Sequence, residues 1–158
     1  MKVLVILGDG GHTRDTLKLV ELLGPKYEYS YLMCNDDRIS EGKIKFPGPV
    51  YKAPPPSDKY PNLLKDIVSL LLCTVREGIV LLQVRPKAIL NGGAGIGVPI
   101  SFLGRLLGVK IIYLENGCRV YTLSASGKLL YHVAHLFFVQ WEPLEEKYPK
   151  AIYAGRLA

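Results

Sequence analysis

The stretch Lys2-Val3-Leu4-Val5-Ile6-Leu7-Gly8-Asp9-Gly10-Gly11-His12-Thr13 decides how this chain is read. An apolar run of strand character breaks at a cluster of glycines, and helix-like periodicity follows from Thr13 to Leu23. A strand, a glycine corner and a helix open a βαβ unit. Such a corner brings backbone N–H groups close to an anion and points the positive end of the helix dipole at it. The spacing of Gly8, Gly10 and Gly11 misses G-x-G-x-x-G, and no Gly-Lys-Ser/Thr follows, so neither the dinucleotide fingerprint nor the Walker loop is present. The glycines also suit a plain tight turn, and at this point both readings stand.

The 158 residues make one domain, 1–158, with room for a full core but not for two nucleotide-binding halves. A hydrophobic fraction of 49% and a mean hydropathy of +0.18 are high for a soluble domain and imply apolar surface covered by a membrane or another protein. The net charge of +6, from 20 basic and 14 acidic residues, favours an anionic partner. The charges are scattered, without a basic block or RNA-motif aromatics, which argues against nucleic acid. Cys34, Cys73 and Cys118 are far apart and form no C-x-x-C pair, as expected of reduced thiols in a cytosolic protein. No signal peptide is evident. Ala88–Gly104 is broken by glycines and Pro99, and Ile67–Val75 is far short of the roughly 20 residues of a span, so neither is expected to cross a bilayer.

Further along, β-rich runs near 2–7, 27–33, 49–53, 86–90, 110–114 and 136–140 alternate with helical runs near 13–23, 62–84, 97–107, 124–134 and 142–147. Alternation of this kind predicts an α/β fold, a Rossmann-like parallel sheet with helices on both faces. Pro54, Pro55, Pro56 and Pro61 bracket a surface loop, with Pro61 suited to the start of the long helix. On a helical wheel Lys65, Asp66, Ser69, Cys73, Arg76, Glu77 and Gln83 share a polar arc, while Leu63, Leu64, Ile67, Val68, Leu70, Leu71, Leu72, Val75, Ile79 and Leu82 cover the rest. The apolar face is wider than docking on one sheet needs. It either packs between the sheet and a neighbouring helix or meets a membrane or partner.

In a doubly wound sheet, ligands sit beyond the carboxyl ends of the strands. Three loops leave those ends: Gly8–His12, Asn91–Gly97 and Glu115-Asn116-Gly117. His12 is either a histidine bonded to backbone or a general base, because the positive end of a helix favours a neutral ring that accepts a proton. Glu115 binds sugar hydroxyls, orients His12, abstracts a proton, or pairs with Arg119. Asp9 repels phosphate unless its side chain points away, which leaves it as a base or sugar ligand. Ser124 to Lys128 reads as a capped helix start with a cation near the ligand edge, or as a cap with a solvated lysine. Trp141 reads as a core or an interface anchor, with the core favoured, and Ala154 to Ala158 is either a docking tail or a frayed end.

Several further motifs follow in order: Gly93-x-Gly95 before Val98-Pro99-Ile100; Glu115-x-x-Cys118-Arg119-Val120-x-x-Leu123-Ser124-x-x-Gly127-Lys128-Leu129-x-Tyr131; then Phe138-Val139-Gln140-Trp141, Lys147-Tyr148-Pro149 and Tyr153-x-Gly155. With the glycine loop, these resemble the asparagine-linked glycosylation protein fourteen family and its exopolysaccharide relatives over nearly the full chain. The resemblance implies the acceptor-side, N-terminal half of a GT-B glycosyltransferase, similar to the lipid-intermediate transferase of peptidoglycan synthesis. It also implies that a separate donor-binding subunit holds UDP-GlcNAc, and that the pair adds N-acetylglucosamine to a polyprenyl (dolichyl) diphosphate-linked sugar at the cytoplasmic face of a membrane. Carried onto this sequence, His12 or Glu115 is the base. Gly8, Asp9, Gly10, Gly11, Thr13, Asn91, Gly92, Gly93, Gly95, Asn116, Arg119, Ser124 and Lys128 are the acceptor and diphosphate ligands. An inverting transfer of this kind needs one base and no metal-held leaving group, and the chain offers no D-x-D-like pair, so neither metal nor cofactor is expected. Two departures bear on acceptor identity: Asp9 and Asn116 stand where relatives often carry small hydroxyl residues. Many eukaryotic members carry an N-terminal membrane helix, whereas this sequence opens on its first strand. The expectation is therefore a prokaryotic source and peripheral attachment through apolar and basic surface. A noncatalytic scaffold for the donor subunit, or an exopolysaccharide subunit using another UDP-sugar, are the alternative readings.

Overall fold

The computed structural model describes residues 1–8, 11–57 and 63–157. Asp9 and Gly10 of the glycine loop, and Pro61 ahead of the long helix, lie outside the described residues. The strands are β1 (Lys2–Ile6), β2 (Glu28–Cys34), β3 (Val50–Ala53), β4 (Ala88–Asn91), β5 (Lys110–Leu114), β6 (Leu136–Val139) and β7 (Ala151–Tyr153). The helices are α1 (Gly11–Leu23), α2 (Leu63–Val84), α3 (Gly97–Leu106), α4 (Ala125–Leu130) and α5 (Glu142–Lys147). All pairings are parallel, in the order β3-β2-β1-β4-β5-β6-β7. The order reverses between β1 and β4, so connections diverge there and leave a crevice beyond their carboxyl ends.

Strand β1 shows why its run is apolar throughout. Its side chains alternate between two buried faces, with Val3, Val5 and Leu7 beside Leu17 and Val20 of α1, and Leu4 and Ile6 beside residues of α2 and α3. A third cluster, built on Tyr113, Leu130, Phe137, Val139 and Leu144, covers the β5–β7 end. The parallel sheet with helices on both faces is as the sequence predicts. Strand β7 was not foreseen; three residues carry too little periodicity to register, and Ala151, Ile152 and Tyr153 gain strand geometry only by pairing with Phe137, Phe138 and Val139. The tail beyond it is packed against the domain: Leu157 N–H donates to Gln140 Oε1 at 3.0 Å, and the Arg156 guanidinium lies 4.0 Å from the Trp141 ring centroid.

Helix α2 corrects the sequence reading most sharply. It buries Cys73, Glu77, Val80, Leu81 and Val84, so two residues of the expected polar arc face inward. Most of its other apolar side chains face outward, with Leu63 78%, Leu64 77%, Val75 63% and Leu82 65% exposed. At 22 residues α2 is also long and apolar enough to cross a membrane, with a mean hydropathy of 1.9 over an 18-residue window, which the short run Ile67–Val75 does not reveal. It ends where Arg85 takes φ 49° ahead of Pro86, a residue that cannot continue the helical hydrogen bonds.

Glu77 is fully buried, with Oε1 3.5 Å from Cys73 Sγ and, among the described residues, no hydrogen-bond partner for Oε2. Burial pushes its carboxyl up from 4.5 to about 8. Between those values the unfolded chain releases the proton and the folded chain keeps it. Folding stability therefore falls as pH rises through this window, by on the order of 3–4 kcal/mol in all. Glu77→Gln holds a neutral group there at every pH. Urea titrations from about pH 5 to about pH 8.5 are expected to show the slope in wild type and its loss in the variant; equal slopes would mean that Glu77 does not carry the dependence.

Candidate functional site

The site lies at the switch point, where α1 starts after β1 and the loops after β4 and β5 meet it. His12 sits in the first turn of α1, and its Nδ1 lies 2.8 Å from the carbonyl oxygen of Gly92. A carbonyl only accepts, so Nδ1 carries the hydrogen, and in the neutral ring Nε2 is the nitrogen with the free lone pair. Asn116 Nδ2 approaches the same ring at 3.3 Å from Nδ1.

The loop that holds His12 is shaped by Asn91. This buried side chain accepts from Gly93 N–H at 3.0 Å through Oδ1, and donates through Nδ2 to Gly97 O at 2.8 Å and Ser101 Oγ at 3.1 Å. Gly93 takes φ +87°, and a Cβ there would stand 3.0 Å from the Tyr113 hydroxyl and 3.1 Å from His12 Nδ1. Left-handed geometry and lack of space both demand glycine.

Glu115 is the correction at this rim. Read from sequence as a base or sugar ligand, it is fully buried behind the cleft, with both oxygens engaged. Oε1 accepts from Asn116 N–H at 2.9 Å; Oε2 accepts from Ser124 N–H at 3.0 Å and from the Ser124 hydroxyl at 3.1 Å. Ser124 Oγ in turn accepts from Gly127 N–H at 3.0 Å and caps α4. Tyr113 lies 3.1 Å from that same Oγ; burial first, and the Glu115 carboxylate second, push its phenol above the ordinary range and keep it a donor. A Cβ on Gly127 would come within 2.2 Å of Glu115 Oε2, so the first turn of α4 rests directly on the carboxylate. Among the described residues Glu115 makes no ion pair with Arg119.

A cleft of about 390 Å³ opens between these walls, lined by His12, Gly93, Gly95, Asn116, Arg119 and Ser124, with Cys118, Ala125 and Ser126. Six of the sequence-derived site residues therefore converge. The others lie elsewhere. Thr13 is buried beneath the rim, its hydroxyl bonded to Gly8 O and 3.0 Å from Ser40 Oγ; Gly8, Asn91 and Gly92 form the supporting layer; Lys128 is exposed on α4 beyond the lining. Gly11 lines a separate groove of about 640 Å³ beside α1. A hollow of about 940 Å³ lies at the opposite, amino-terminal edge of the sheet. Neither lies where the carboxyl ends of several strands meet. Sequence reading missed Asp15, whose Oδ2 accepts from Gly117 N–H and Gln140 Nε2; its one signal is its place three residues after His12, on the same face of α1. Trp141, expected in the core, is half-buried and donates through Nε1 to Gly117 O at 2.7 Å.

The sequence is matched by a known family. The family described as "Oligosaccharide biosynthesis protein Alg14 like" matches residues 3–157. The chain belongs to the Alg14-like family. It is 33% identical over 180 residues to the "UDP-N-acetylglucosamine transferase subunit ALG14" of Mus musculus, a match covering 99% of this chain and 83% of the relative. The Saccharomyces cerevisiae protein of the same description is 29% identical, with 99% and 77% covered. These relatives are eukaryotic, and the expectation of a prokaryotic source finds no support among them. In fold, this Alg14-like chain resembles Acinetobacter baumannii MurG, with a TM-score of 0.68 at 17% identity over 88% of this chain and 40% of that one. It also resembles a UDP-N-acetylglucosamine 2-epimerase, with a TM-score of 0.73 at 14% identity over 99% and 48%. The Alg14-like chain thus spans less than half the length of either enzyme.

The arrangement around Glu115 makes a stability prediction that a base would not. In Glu115→Gln an amide NH₂ faces donors from Asn116 or Ser124, which is expected to cost about 1–3 kcal/mol, read as a lower urea midpoint. An unchanged midpoint would contradict the supporting role.

Proposed function

We propose that this chain is the acceptor-binding half of a two-subunit GT-B transferase, in which a separate subunit binds UDP-GlcNAc and the acceptor is a polyprenyl-diphosphate-linked sugar. The relatives' description as transferase subunits supports the division. The observation that carries the reading is the seat of His12. Its Nδ1–H is fixed on Gly92 O, while the ring lines a cleft shared with Arg119, Gly93 and Gly95. In this reading Nε2 takes the proton of the acceptor hydroxyl as that oxygen attacks the anomeric carbon and the bond to UDP breaks. Arg119 and the glycine amides face the acceptor diphosphate, and Glu115 holds the wall.

The outward face of α2 supports peripheral attachment to the cytoplasmic surface of a membrane. The helix is about 33 Å long and docks on the domain by one stripe, so it lies along the surface. Its exposed leucines are accompanied by Arg76 and Arg85, and α3 adds exposed Phe102 and Leu106, with Leu107 just beyond its end. Apolar surface beside cations fits a bilayer with anionic headgroups.

With the donor subunit reconstituted and a short-chain acceptor supplied, His12→Ala is expected to lower GlcNAc transfer by about 10²–10⁴-fold with an unchanged circular dichroism spectrum. Wild-type turnover in that variant would remove His12 as base. Full transfer by the donor subunit alone would make this chain a scaffold. For the membrane, wild-type protein is expected to sediment with vesicles containing phosphatidylserine. A variant carrying Leu71→Gln, Leu72→Gln and Val75→Gln is expected to lose at least tenfold in that binding, since each buried apolar side chain is worth about 1.5–3 kcal/mol; equal binding would exclude α2 as the docking face.

A further inference from the structure

The carboxylate of Asp15 stands where three segments meet. Through one oxygen, Oδ2, it accepts from Gly117 N–H at 3.1 Å and from Gln140 Nε2 at 2.9 Å. Gln140 Nε2 also donates to Glu115 O at 3.1 Å, and Trp141 Nε1 donates to Gly117 O at 2.7 Å. Gly117 is therefore held on both sides, its N–H by Asp15 of α1 and its carbonyl by Trp141, the second residue after β6. Asn116 is the preceding residue, and it meets the His12 ring across the cleft.

Asp15 follows His12 by three residues on α1, so the two side chains share a helix face. Whatever fixes Asp15 against the loop after β5 also fixes how far His12 stands from Asn116. Removing the carboxylate leaves two N–H donors without their acceptor, and the loop is free to move away from α1. Among the described residues Asp15 forms no ion pair, so its charge is committed to these two donors.

We infer that Asp15 is a positioning residue, which sets the separation between His12 on one wall of the cleft and Asn116 on the other. The inference rests on the assignment of His12 as base. It predicts an effect on the chemical step larger than that on acceptor binding, because a small misplacement of a base costs rate while leaving most binding contacts in place.

The test uses the reconstituted two-subunit enzyme, with Asp15→Ala, Asp15→Asn and Asp15→Glu made singly, and Asp15→Ala also made in the His12→Ala background. Asp15→Ala is expected to lower kcat about tenfold or more while the acceptor KM stays within about threefold. Asp15→Asn keeps an oxygen that accepts both N–H groups and is expected to recover most of the rate. Asp15→Glu keeps the charge but displaces it by a methylene, and is expected to be slow yet as stable as wild type, which preserves the test if Asp15→Ala does not fold. In the His12→Ala background the loss of Asp15 is expected to add nothing further. Four outcomes would each overturn the inference: a fast Asp15→Glu; an Asp15→Asn as slow as Asp15→Ala; losses that multiply in the double variant; and a KM effect exceeding the kcat effect. Wild-type turnover in His12→Ala defeats the base assignment and this inference together, whereas slow His12→Ala with fast Asp15→Ala defeats only this one.

Discussion

A carboxylate sealed at the carboxyl end of a central strand carries a heavy desolvation cost unless every lone pair facing the interior is met by a donor. Glu115 meets that demand with the backbone of Asn116 and with both the amide and the hydroxyl of Ser124. The consequence is architectural. The chain after β5 must turn tightly over the carboxylate, α4 must begin on top of it, and Asn116 must stand at the lip where it faces His12. The cleft exists because a buried charge has to be satisfied from above by the loop that forms its wall.

The opposite arrangement holds on α2. There a glutamate is buried with one oxygen unmatched, among apolar neighbours and beside a thiol, while leucines point outward. Burial keeps the Glu77 carboxyl protonated through neutral pH, which removes the charge that would otherwise make its position untenable. A helix that turns its widest apolar face away from its own core presents apolar surface that its own domain does not cover. Glu115 and Glu77 thus mark two surfaces of different kind: a polar cleft at the strand ends and an apolar flank.

Membership of the Alg14-like family fits both surfaces. In the proposed division of the enzyme, the cleft stays open at the switch point because its other wall would come from the donor-binding subunit. The proposed lipid-linked acceptor would bring that cleft close to a bilayer. The strand order explains how one short chain presents both: loops at the carboxyl ends form the cleft, and the crossover from β3 to β4 supplies the long flanking helix.

Much of this was legible in the sequence for local reasons. Unbroken apolar strands separated by helical periodicity gave the parallel sheet, and glycine corners after β1 and β4 marked the edge where His12, Gly93, Asn116 and Arg119 gather. Periodicity and turn chemistry act over a few residues, so one chain suffices to read them. What the tertiary structure alone decided was orientation and partnership. Glu115 looked like a base because a carboxylate at a strand end has the right chemistry, and it became a support because two donors on Ser124, nine positions on, fold back over it. Asp15 and Gln140, 125 positions apart, meet only in the fold. The direction in which α2 faces follows the same rule: the helical wheel ranks its faces by polarity, but the neighbours in space determine which face is buried.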